Sequence, residues 1–377
     1  MRKYLMIISI KFKIVIFLSS VLLLNSAMSF GKDLYPIAVN DKVGYIDSNG
    51  TIIITPEYET IIQYYNIPLK ERKLKGVKFP KNAFFSDGLA TIRNADYFLF
   101  IPLRYHYGLI DSNGKKIPLS FDIEIGTFKD GLAPFRAPKK HFQYVYENNY
   151  GYINTHLQIV IQPQYQWCGH FSEGLALVLN ENKYGYIDSK DSMAVKPLYV
   201  DGTHFSEGLA AVATRELYGY INKSGDMVIP EQFVKAWEFN DGIARIHDGS
   251  RFGFIDKSGN KLFNNTFAFA GDFSEGLAKV IVEGNVGFID NRGLLAIPDQ
   301  FDNTSDFQNG SAAVELNGKW GFIDKSGMFI LPPIYDYANN FQNGLAQIWL
   351  GEEMWYINLK GEKISRVFWD DRTFLWW

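Results

Sequence analysis

The amino-acid sequence predicts an all-β fold made of about nine tandem units of 34 residues, each with three short strands. From Gly151 to Gly321 a glycine recurs every 34 residues, and the flanking segments alternate between apolar and polar residues, which is the period of a β-strand. Each unit also contains two or three glycines and usually a proline, and these residues break helices. A helical repeat of the same length is therefore excluded.

Further residues recur at fixed offsets from this glycine. Asp or Asn follows three residues later, an aromatic residue follows 14 later in most units, and Phe follows 20 later in every unit from Phe128 to Phe341. A segment such as Asp324–Gly327 predicts a tight turn, in which the carboxylate accepts backbone N–H groups and the glycine adopts a positive φ. An irregular link then leads to the third strand. Since one unit cannot bury its own apolar face, neighbouring units must stack.

The repeat leaves two ways to arrange the units. Propellers usually have four-stranded blades of about 40–50 residues. Because these units are shorter and show three strands, we expect an open, curved or superhelical β array. A closed, propeller-like ring is the alternative.

The N-terminal segment has the pattern of a secretory signal peptide. Basic residues precede an apolar run at 14–24, and Ala27 and Ser29 have the spacing of a cleavage site, so we expect a signal at 1–29 and a repeat array over 30–377. The apolar run is too short to span a bilayer, which takes roughly 20 residues. We therefore expect an exported, periplasmic or secreted protein with no membrane span after cleavage. The net charge of −3 gives no basic excess for nucleic acid, and we expect a monomer.

Candidate chemistry along the repeat is sparse. The single cysteine, Cys168, excludes an internal disulfide and a multi-cysteine metal site. His170 and His204 occupy equivalent positions one repeat apart, and a second ladder is formed by Glu173, Glu207 and Glu275. Such ladders could bind a metal or, as paired carboxylates, hydrolyse a glycoside, but stacking of repeats places equivalent residues side by side in any case. Turn capping explains the Asp ladder better than calcium does, since Asn replaces Asp in three units.

Nucleophile, phosphate-loop, dinucleotide and His-Glu-x-x-His motifs are absent from the sequence. We therefore predict no catalytic residue, no metal site and no cofactor.

Function is expected where the period breaks, at long insertions over 59–84, 94–106 and 134–149. Aromatic residues interleaved with Arg and Lys could form a platform for a glycan or a peptide. The candidate binding residues are Tyr97, Phe98, Phe100, Arg104, Tyr105, Arg136, Lys139, Lys140, Phe142, Tyr144 and Tyr146. The alternative is that these hairpins only cap the array. An aromatic segment at 365–377 predicts a C-terminal cap, with an exposed docking tail as the alternative.

The repeat resembles the WG-repeat (or KWG-repeat) proteins of bacteria. The resemblance is carried by the sequence Lys319–Gly327 and by Phe-Ser-Glu-Gly-Leu-Ala at 171–176, 205–210 and 273–278. It implies a bacterial, frequently envelope-associated or secreted protein, and no single activity. The leading hypothesis is a noncatalytic binding or scaffold protein whose partner is an envelope protein, a host protein or a glycan. The alternatives are an envelope polysaccharide hydrolase that uses carboxylates between repeats and a purely structural, calcium-stiffened rod.

Overall fold

The computed structural model describes residues 34–39, 42–59, 87–98, 101–118, 124–137, 150–282, 284–351 and 353–369. These residues form β-strands joined by turns, and none of them is helical. In the described residues the strands make eight sheets, because a pairing between Glu59 and Arg93 joins the first two blades into one sheet of seven strands, and together these sheets form the nine blades of a closed β-propeller. No helix in the described part of the chain is long and apolar enough to cross a membrane.

The strands follow one another blade by blade. In the first three blades they are β1 (Tyr35–Val39), β2 (Lys42–Ile46), β3 (Ile52–Glu59); β4 (Leu89–Phe98), β5 (Ile101–Asp111), β6 (Lys116–Pro118); and β7 (Glu124–Ile125), β8 (Leu132–Arg136), β9 (Tyr150–Asn154), β10 (Ile159–Tyr165). In the fourth to sixth blades they are β11 (Trp167–Ser172), β12 (Leu175–Asn180), β13 (Lys183–Asp188), β14 (Met193–Tyr199); β15 (Asp201–Gly202), β16 (Leu209–Ala213), β17 (Tyr218–Asn222), β18 (Met227–Phe233); and β19 (Lys235–Asn240), β20 (Ile243–His247), β21 (Phe252–Ile255). In the last three blades they are β22 (Phe269–Ala270), β23 (Leu277–Val282), β24 (Asn285–Asp290), β25 (Leu295–Phe301); β26 (Asn303–Thr304), β27 (Ser311–Leu316), β28 (Lys319–Asp324), β29 (Phe329–Tyr335); and β30 (Tyr337–Ala338), β31 (Leu345–Leu350), β32 (Glu353–Asn358), β33 (Lys363–Arg366), followed by β34 (Phe368–Trp369).

Most blades have four strands, one more than the sequence predicts. The extra strand comes from the irregular link and is only two residues long in several blades, as in β15, β22, β26 and β30. It pairs with the following long strand and forms one edge of the blade. The opposite edge strand, such as β14, alternates between exposed and buried residues and faces outward. The link strand is therefore the inner strand of its blade.

The prediction of an open array is wrong, because the chain closes on itself. Strand β34 pairs with β1 in parallel, through Ala38 with Phe368 and Val39 with Trp369, so the C-terminus takes the inner edge of the first blade. The buried Tyr356 hydroxyl adds a hydrogen bond to the Pro36 carbonyl at 2.9 Å. The segment expected as a C-terminal cap thus completes the first blade with residues 368–369, while residues 370–377 lie outside the described part of the chain.

The repeated phenylalanine packs between blades, as the sequence predicts. Its ring meets edge-on an aromatic ring of the preceding blade, for example Phe205 with Tyr186 at 4.7 Å and Phe239 with Tyr220 at 5.0 Å. The tyrosine hydroxyl then donates to a backbone carbonyl of the phenylalanine's blade, as Tyr186 does to Thr203 at 2.7 Å. Each interface therefore combines apolar burial with a satisfied polar tip.

The recurring glycine allows two strands of one blade to approach closely. At Gly185 an added Cβ would lie 2.7 Å from the Val195 carbonyl oxygen and 2.8 Å from the Pro197 nitrogen. Both atoms belong to β14, whose pairing with β13 shifts register at this point. The glycine is required here by close backbone contact at a β-bulge.

Two of the predicted insertions begin or lie in described strands. The one at 94–106 is a long hairpin in which β4 and β5 pair from Leu89–Asp111 to Phe98–Ile101. In the one at 134–149, the structure describes residues 134–137, where β8 pairs with β9. Residues 60–86, which hold nearly all of the insertion at 59–84, and residues 138–149 lie outside the described residues.

Candidate functional site

The residue before the repeated phenylalanine lies on the inner strand or the inner segment that continues it. From the fourth blade to the ninth these residues are His170, His204, Glu238, Asp272, Asp306 and Asn340. Several contact their equivalents in the next blade directly, which requires that they lie close to the axis of the ring. Together they form an arc, here called the channel arc, along the inner side of the propeller.

The first part of the channel arc consists of two histidines and a carboxylate. The imidazole rings of His170 and His204 stack with 3.8 Å between centroids. Lys129 Nζ lies 3.4 Å from His170 Nε2, and His204 Nδ1 lies 3.3 Å from Glu238 Oε1. Burial acts to raise the pKa of Glu238, but the hydrogen bond and positive charge of His204, with a contribution from His170, hold it below its ordinary value.

The next part of the arc is built from ion pairs between neighbouring blades. Arg245 of β20 donates to Asp272 at 2.9 Å and lies 3.9 Å from the ring centre of Trp237. Lys279 of β23 pairs with Asp306 at 3.1 Å. Burial raises the pKa of Asp272 above its ordinary value in spite of Arg245. These carboxylates are therefore already occupied by cationic partners.

The last part of the arc is uncharged. Asn340 hydrogen-bonds with Ser305, and its amide donates to the Asp306 carbonyl at 2.6 Å. Beside it, Asn339 donates to the Gln347 side chain at 3.2 Å, and Gln347 donates to the Tyr356 hydroxyl at 2.8 Å. Hydroxyl and carboxamide groups thus replace the ion pairs where the eighth blade meets the ninth.

A pocket of about 560 Å³ opens at this uncharged part, between the eighth, ninth and first blades. We call it the amide pocket, because six of the residues that line it carry carboxamides: Asn303, Gln308, Asn339, Asn340, Gln342 and Gln347. Its volume is within the range of about 300–1,000 Å³ that is typical of small-molecule sites. The pocket is therefore a candidate site for ligand binding.

Four aromatic residues complete much of the wall: Tyr35, Trp320, Tyr337 and Tyr356. Tyr337 is half-buried, and its ring packs against Trp320 at 5.2 Å and against Trp349 at 4.9 Å. These contacts fix the ring, and the residue as a whole stays partly exposed. The wall therefore offers an aromatic surface beside the amides.

The predicted binding residues of the long hairpins are only partly described. Tyr97, Phe98, Arg104 and Tyr105 lie on β4 and β5, where the structure gives the strands but not these side chains. The remaining candidates except Arg136 lie outside the described residues: Phe100, Lys139, Lys140, Phe142, Tyr144 and Tyr146. The guanidinium of Arg136, on β8, lies 5.8 Å from the Tyr150 ring centre. Binding by these hairpins stays a prediction.

The Asp and Asn ladder caps turns, as the sequence analysis expects. In all nine turns the side-chain Oδ1 accepts the N–H groups two and four residues later, as Asp47 does at 2.9 Å for both. Asn222 makes the same contacts at 3.0 and 2.9 Å, so the negative charge is not needed. The described residues contain no group of three or more His, Cys, Asp or Glu that could hold a metal ion.

The glutamate ladder connects blades. Glu173 accepts the Gly208 N–H of the next blade at 3.0 Å and pairs with Lys223 at 3.2 Å. Glu207 and Glu275 repeat this arrangement in later blades. The ladder is thus an inter-blade clamp.

Cys168 lies in the core between the third and fourth blades. It is 5% exposed and packs in one cluster with Tyr152 and Phe171. Burial raises the pKa of the Cys168 thiol to about 12, so the thiol stays protonated at neutral pH. This environment is that of a structural cysteine.

Sequence reasoning missed the amide pocket, although one signal was present. Three units carry Phe-Ser-Glu-Gly, whereas the last two carry Phe-Gln-Asn-Gly at 307–310 and 341–344. Gln308 and Gln342, the first residues to depart from the pattern, both line the pocket. A systematic comparison of the inner segments would have separated these two units from the others.

The closed ring of short antiparallel blades defines the class of protein, a repeat β-propeller. A eukaryotic initiation factor of known crystal structure is similar over 90% of this chain and 96% of its own, with a TM-score of 0.60 and 11% identity. AztD of Citrobacter koseri matches 70% of this chain and 91% of its own (TM-score 0.36, 10% identity), and Hsv2p of Kluyveromyces lactis matches 63% and 88% (0.36, 11%). At such low identity the first likeness concerns the fold alone.

The repeat itself gives the family. The description "WG containing repeat" matches residues 44–66, 150–184, 184–217, 218–247, 252–285, 287–320 and 320–348, together more than half of the chain. The protein belongs to this WG-repeat family, as the motifs indicate. No curated protein matches the chain.

Proposed function

We propose that the protein is an exported, noncatalytic binding protein of the bacterial envelope or extracellular space, and that it holds a protein or glycan partner at the amide pocket. The observation that carries the proposal is the pocket itself, a cavity of about 560 Å³ on the inner side of the ring. The exposed amides of Gln308 and Gln342 at its wall support a binding role. The N-terminal signal pattern supports export.

The absence of catalysis is part of the same proposal. The channel carboxylates Glu238, Asp272 and Asp306 are each paired with a histidine, an arginine or a lysine. A glycosidase acid and base must be free to exchange protons with substrate and water. The pairing therefore favours a structural role for these groups. The rod alternative does not fit a ring closed by β1 and β34.

Affinity capture from bacterial envelope fractions tests the proposal. The bait proteins are the mature chain, a Gln308→Ala/Gln342→Ala variant, and a Gln300→Ala control on the outward-facing strand β25. We expect one retained partner that the control keeps and the double variant loses. A partner retained equally by all three, or none retained by the mature chain, would contradict a binding role for this pocket.

The hairpin prediction has its own bait in the same experiment. Deleting residues 136–144 shortens the predicted platform and leaves the amide pocket residues in place. Loss of the partner in this variant with an unchanged melting temperature would assign recognition to the hairpin. A collapsed melting temperature would assign it a capping role.

A further inference from the structure

The amide pocket differs in charge from the rest of the channel arc. None of the fourteen described residues that line it is Asp, Glu, Lys, Arg or His. The preceding blades place Glu238, Asp272 and Asp306 at the equivalent inner positions, beside a histidine, an arginine and a lysine respectively. A charged ligand would lose its hydration on entering this pocket and would meet no opposite charge there, which is unfavourable. The pocket therefore selects for an uncharged ligand.

Carboxamides determine the polar pattern of that ligand. Each one presents a carbonyl acceptor and an NH₂ donor on the same planar group. A hydroxyl is also both a donor and an acceptor, so one carboxamide can hydrogen-bond with two neighbouring hydroxyls at once. Gln308 and Gln342 are exposed at the wall and able to make such contacts. This complementarity favours a ligand with adjacent hydroxyl groups.

Thr304 supplies an independent indication of a missing partner. Its side chain lines the pocket and is only 5% exposed. Its Oγ1 has no hydrogen-bond partner among the described residues, although buried hydroxyls nearly always have one. Because this oxygen is shielded from solvent, a ligand hydroxyl can satisfy it only when neighbouring side chains of the pocket wall move aside.

The aromatic wall completes the match. Tyr337, whose ring Trp320 and Trp349 hold in place, is a half-buried aromatic residue that lines the pocket next to the amides. A pyranose ring has hydroxyls at its edge and C–H groups on its face, so it can bond to the amides and pack on the tyrosine together. An uncharged peptide lacks this combination of vicinal hydroxyls and a saturated ring face.

We propose that the amide pocket binds a neutral saccharide, with its hydroxyls held by Gln308, Gln342 and Thr304 and its ring packed on Tyr337. This inference rests on the proposed binding function and names the class of ligand. Sugar acids are disfavoured, because the pocket offers their carboxylate no cation.

Direct titration tests the ligand class. The probes are maltose, cellobiose, lactose and N,N′-diacetylchitobiose, with digalacturonate as the charged sugar and an acetylated, amidated tetrapeptide of uncharged residues as the peptide. Saturation-transfer NMR detects contact, and fluorescence of Trp320 and its neighbours gives the dissociation constant. We expect at least one neutral disaccharide to bind, and digalacturonate and the peptide to bind at least about tenfold more weakly. Comparable binding of digalacturonate or of the peptide, or no binding of any sugar, would overturn the proposal.

Thr304→Val separates recognition from folding. Valine has nearly the shape of threonine and removes a hydroxyl that has no partner, so the variant should melt at or above the temperature of the unchanged protein. Its affinity for the sugar should fall about three- to tenfold, the factor expected for one hydrogen bond. Gln308→Ala/Gln342→Ala should lose at least about tenfold, and the outer-strand control Gln300→Ala should lose nothing. Sugar binding unchanged in Thr304→Val and in the double variant would place the sugar elsewhere and refute this site.

Failure of this inference and failure of the proposed function give different results. If envelope capture yields a pocket-dependent partner but no neutral sugar binds, the binding function stands and the ligand class is wrong. If capture is independent of the pocket and the sugar also fails to bind, both are wrong.

Discussion

The recurring glycine gives the sharpest prediction about the fold, because one repeat differs from the others. In Gly185→Ala the new Cβ would lie 2.7 Å from the Val195 oxygen, 2.8 Å from the Pro197 nitrogen and 2.9 Å from the Pro197 Cα. Carbon contacts are favourable only at about 3.5–4.0 Å. All three atoms belong to the backbone, so β14 must move away from β13. The sixth blade lacks the equivalent outer strand, and at Gly253 the nearest atom is Ile246 Cδ1 at 3.3 Å.

The expected difference follows from these contacts. Overpacking that shifts backbone typically costs about 1–3 kcal/mol, and we expect a loss of this size for Gly185→Ala. In Gly253→Ala a flexible side-chain end can give way, and the smaller entropy of the unfolded chain contributes about 0.4–1 kcal/mol in the other direction. We therefore expect Gly253→Ala to lie within about 1 kcal/mol of the unchanged protein.

Urea unfolding followed by tryptophan fluorescence measures both variants, with the free energy of unfolding taken from midpoint and slope. Equal losses in the two variants, or no loss in Gly185→Ala, would refute the argument that the glycine is required by the bulged outer strand. Such a result would mean that the glycine recurs because of turn propensity or by chance.

Four further outcomes are expected. Phe239→Ala, at a residue with 0% exposure, should destabilise by about 3–5 kcal/mol, and a loss under about 1 kcal/mol would remove Phe239 from the core. Asp256→Ala should lower the melting temperature and Asp256→Asn should lower it less, because the amide oxygen still caps the turn but the second oxygen that accepts from the Asn260 amide is lost; chelators should change neither value. Burial acts to raise the pKa of Glu275, but a backbone N–H and a lysine of the next blade outweigh burial and lower the pKa. The ionised carboxylate therefore stabilises the folded protein above about pH 4.3, and this stabilisation is lost as the pH falls through the folded-state pKa. Glu275→Gln should cost under about 1 kcal/mol at pH 7 and approach zero in acid, and a difference that does not change with pH would contradict this linkage. Tyr356→Phe should cost about 1–3 kcal/mol in urea titrations by leaving the Pro36 carbonyl without its partner, and a neutral result would show that ring closure does not depend on this bond.

The local parts of the fold could be predicted because their causes are local. The turn at Asp324–Gly327 needs only a carboxylate and a glycine three residues apart, and both are visible in one repeat. The burial of Phe239 follows from an apolar residue at a fixed place in every unit. The inner strands were missed because a strand such as β26 has two residues, too few to show an alternating pattern.

Ring closure could not be predicted from the repeat, because it depends on residues at opposite ends of the chain. The contact between Tyr356 and Pro36 joins positions 320 residues apart: Tyr356 occupies the recurring position of Tyr186 and Tyr220, but its acceptor comes from the other end of the described chain. The curvature per unit decides whether the ends meet, and curvature arises from packing between blades. The sequence analysis counted three strands in each unit, whereas most blades have four, and this error favoured the open array.

The amide pocket was missed for a related reason, and its position explains why it is suited to binding. At the seventh and eighth blades the inner carboxylates are paired with cations of the preceding blade, as Asp272 is with Arg245. Between the eighth and ninth blades the equivalent residues, Asp306 and Asn340, are followed by Phe-Gln-Asn-Gly rather than Phe-Ser-Glu-Gly. The shorter polar network there leaves both a cavity and an unsatisfied hydroxyl. A repeat protein can gain a specific site where polar groups at one interface between units lack partners. In the described residues the clearest case is the contact between the eighth and ninth blades, next to the ring closure.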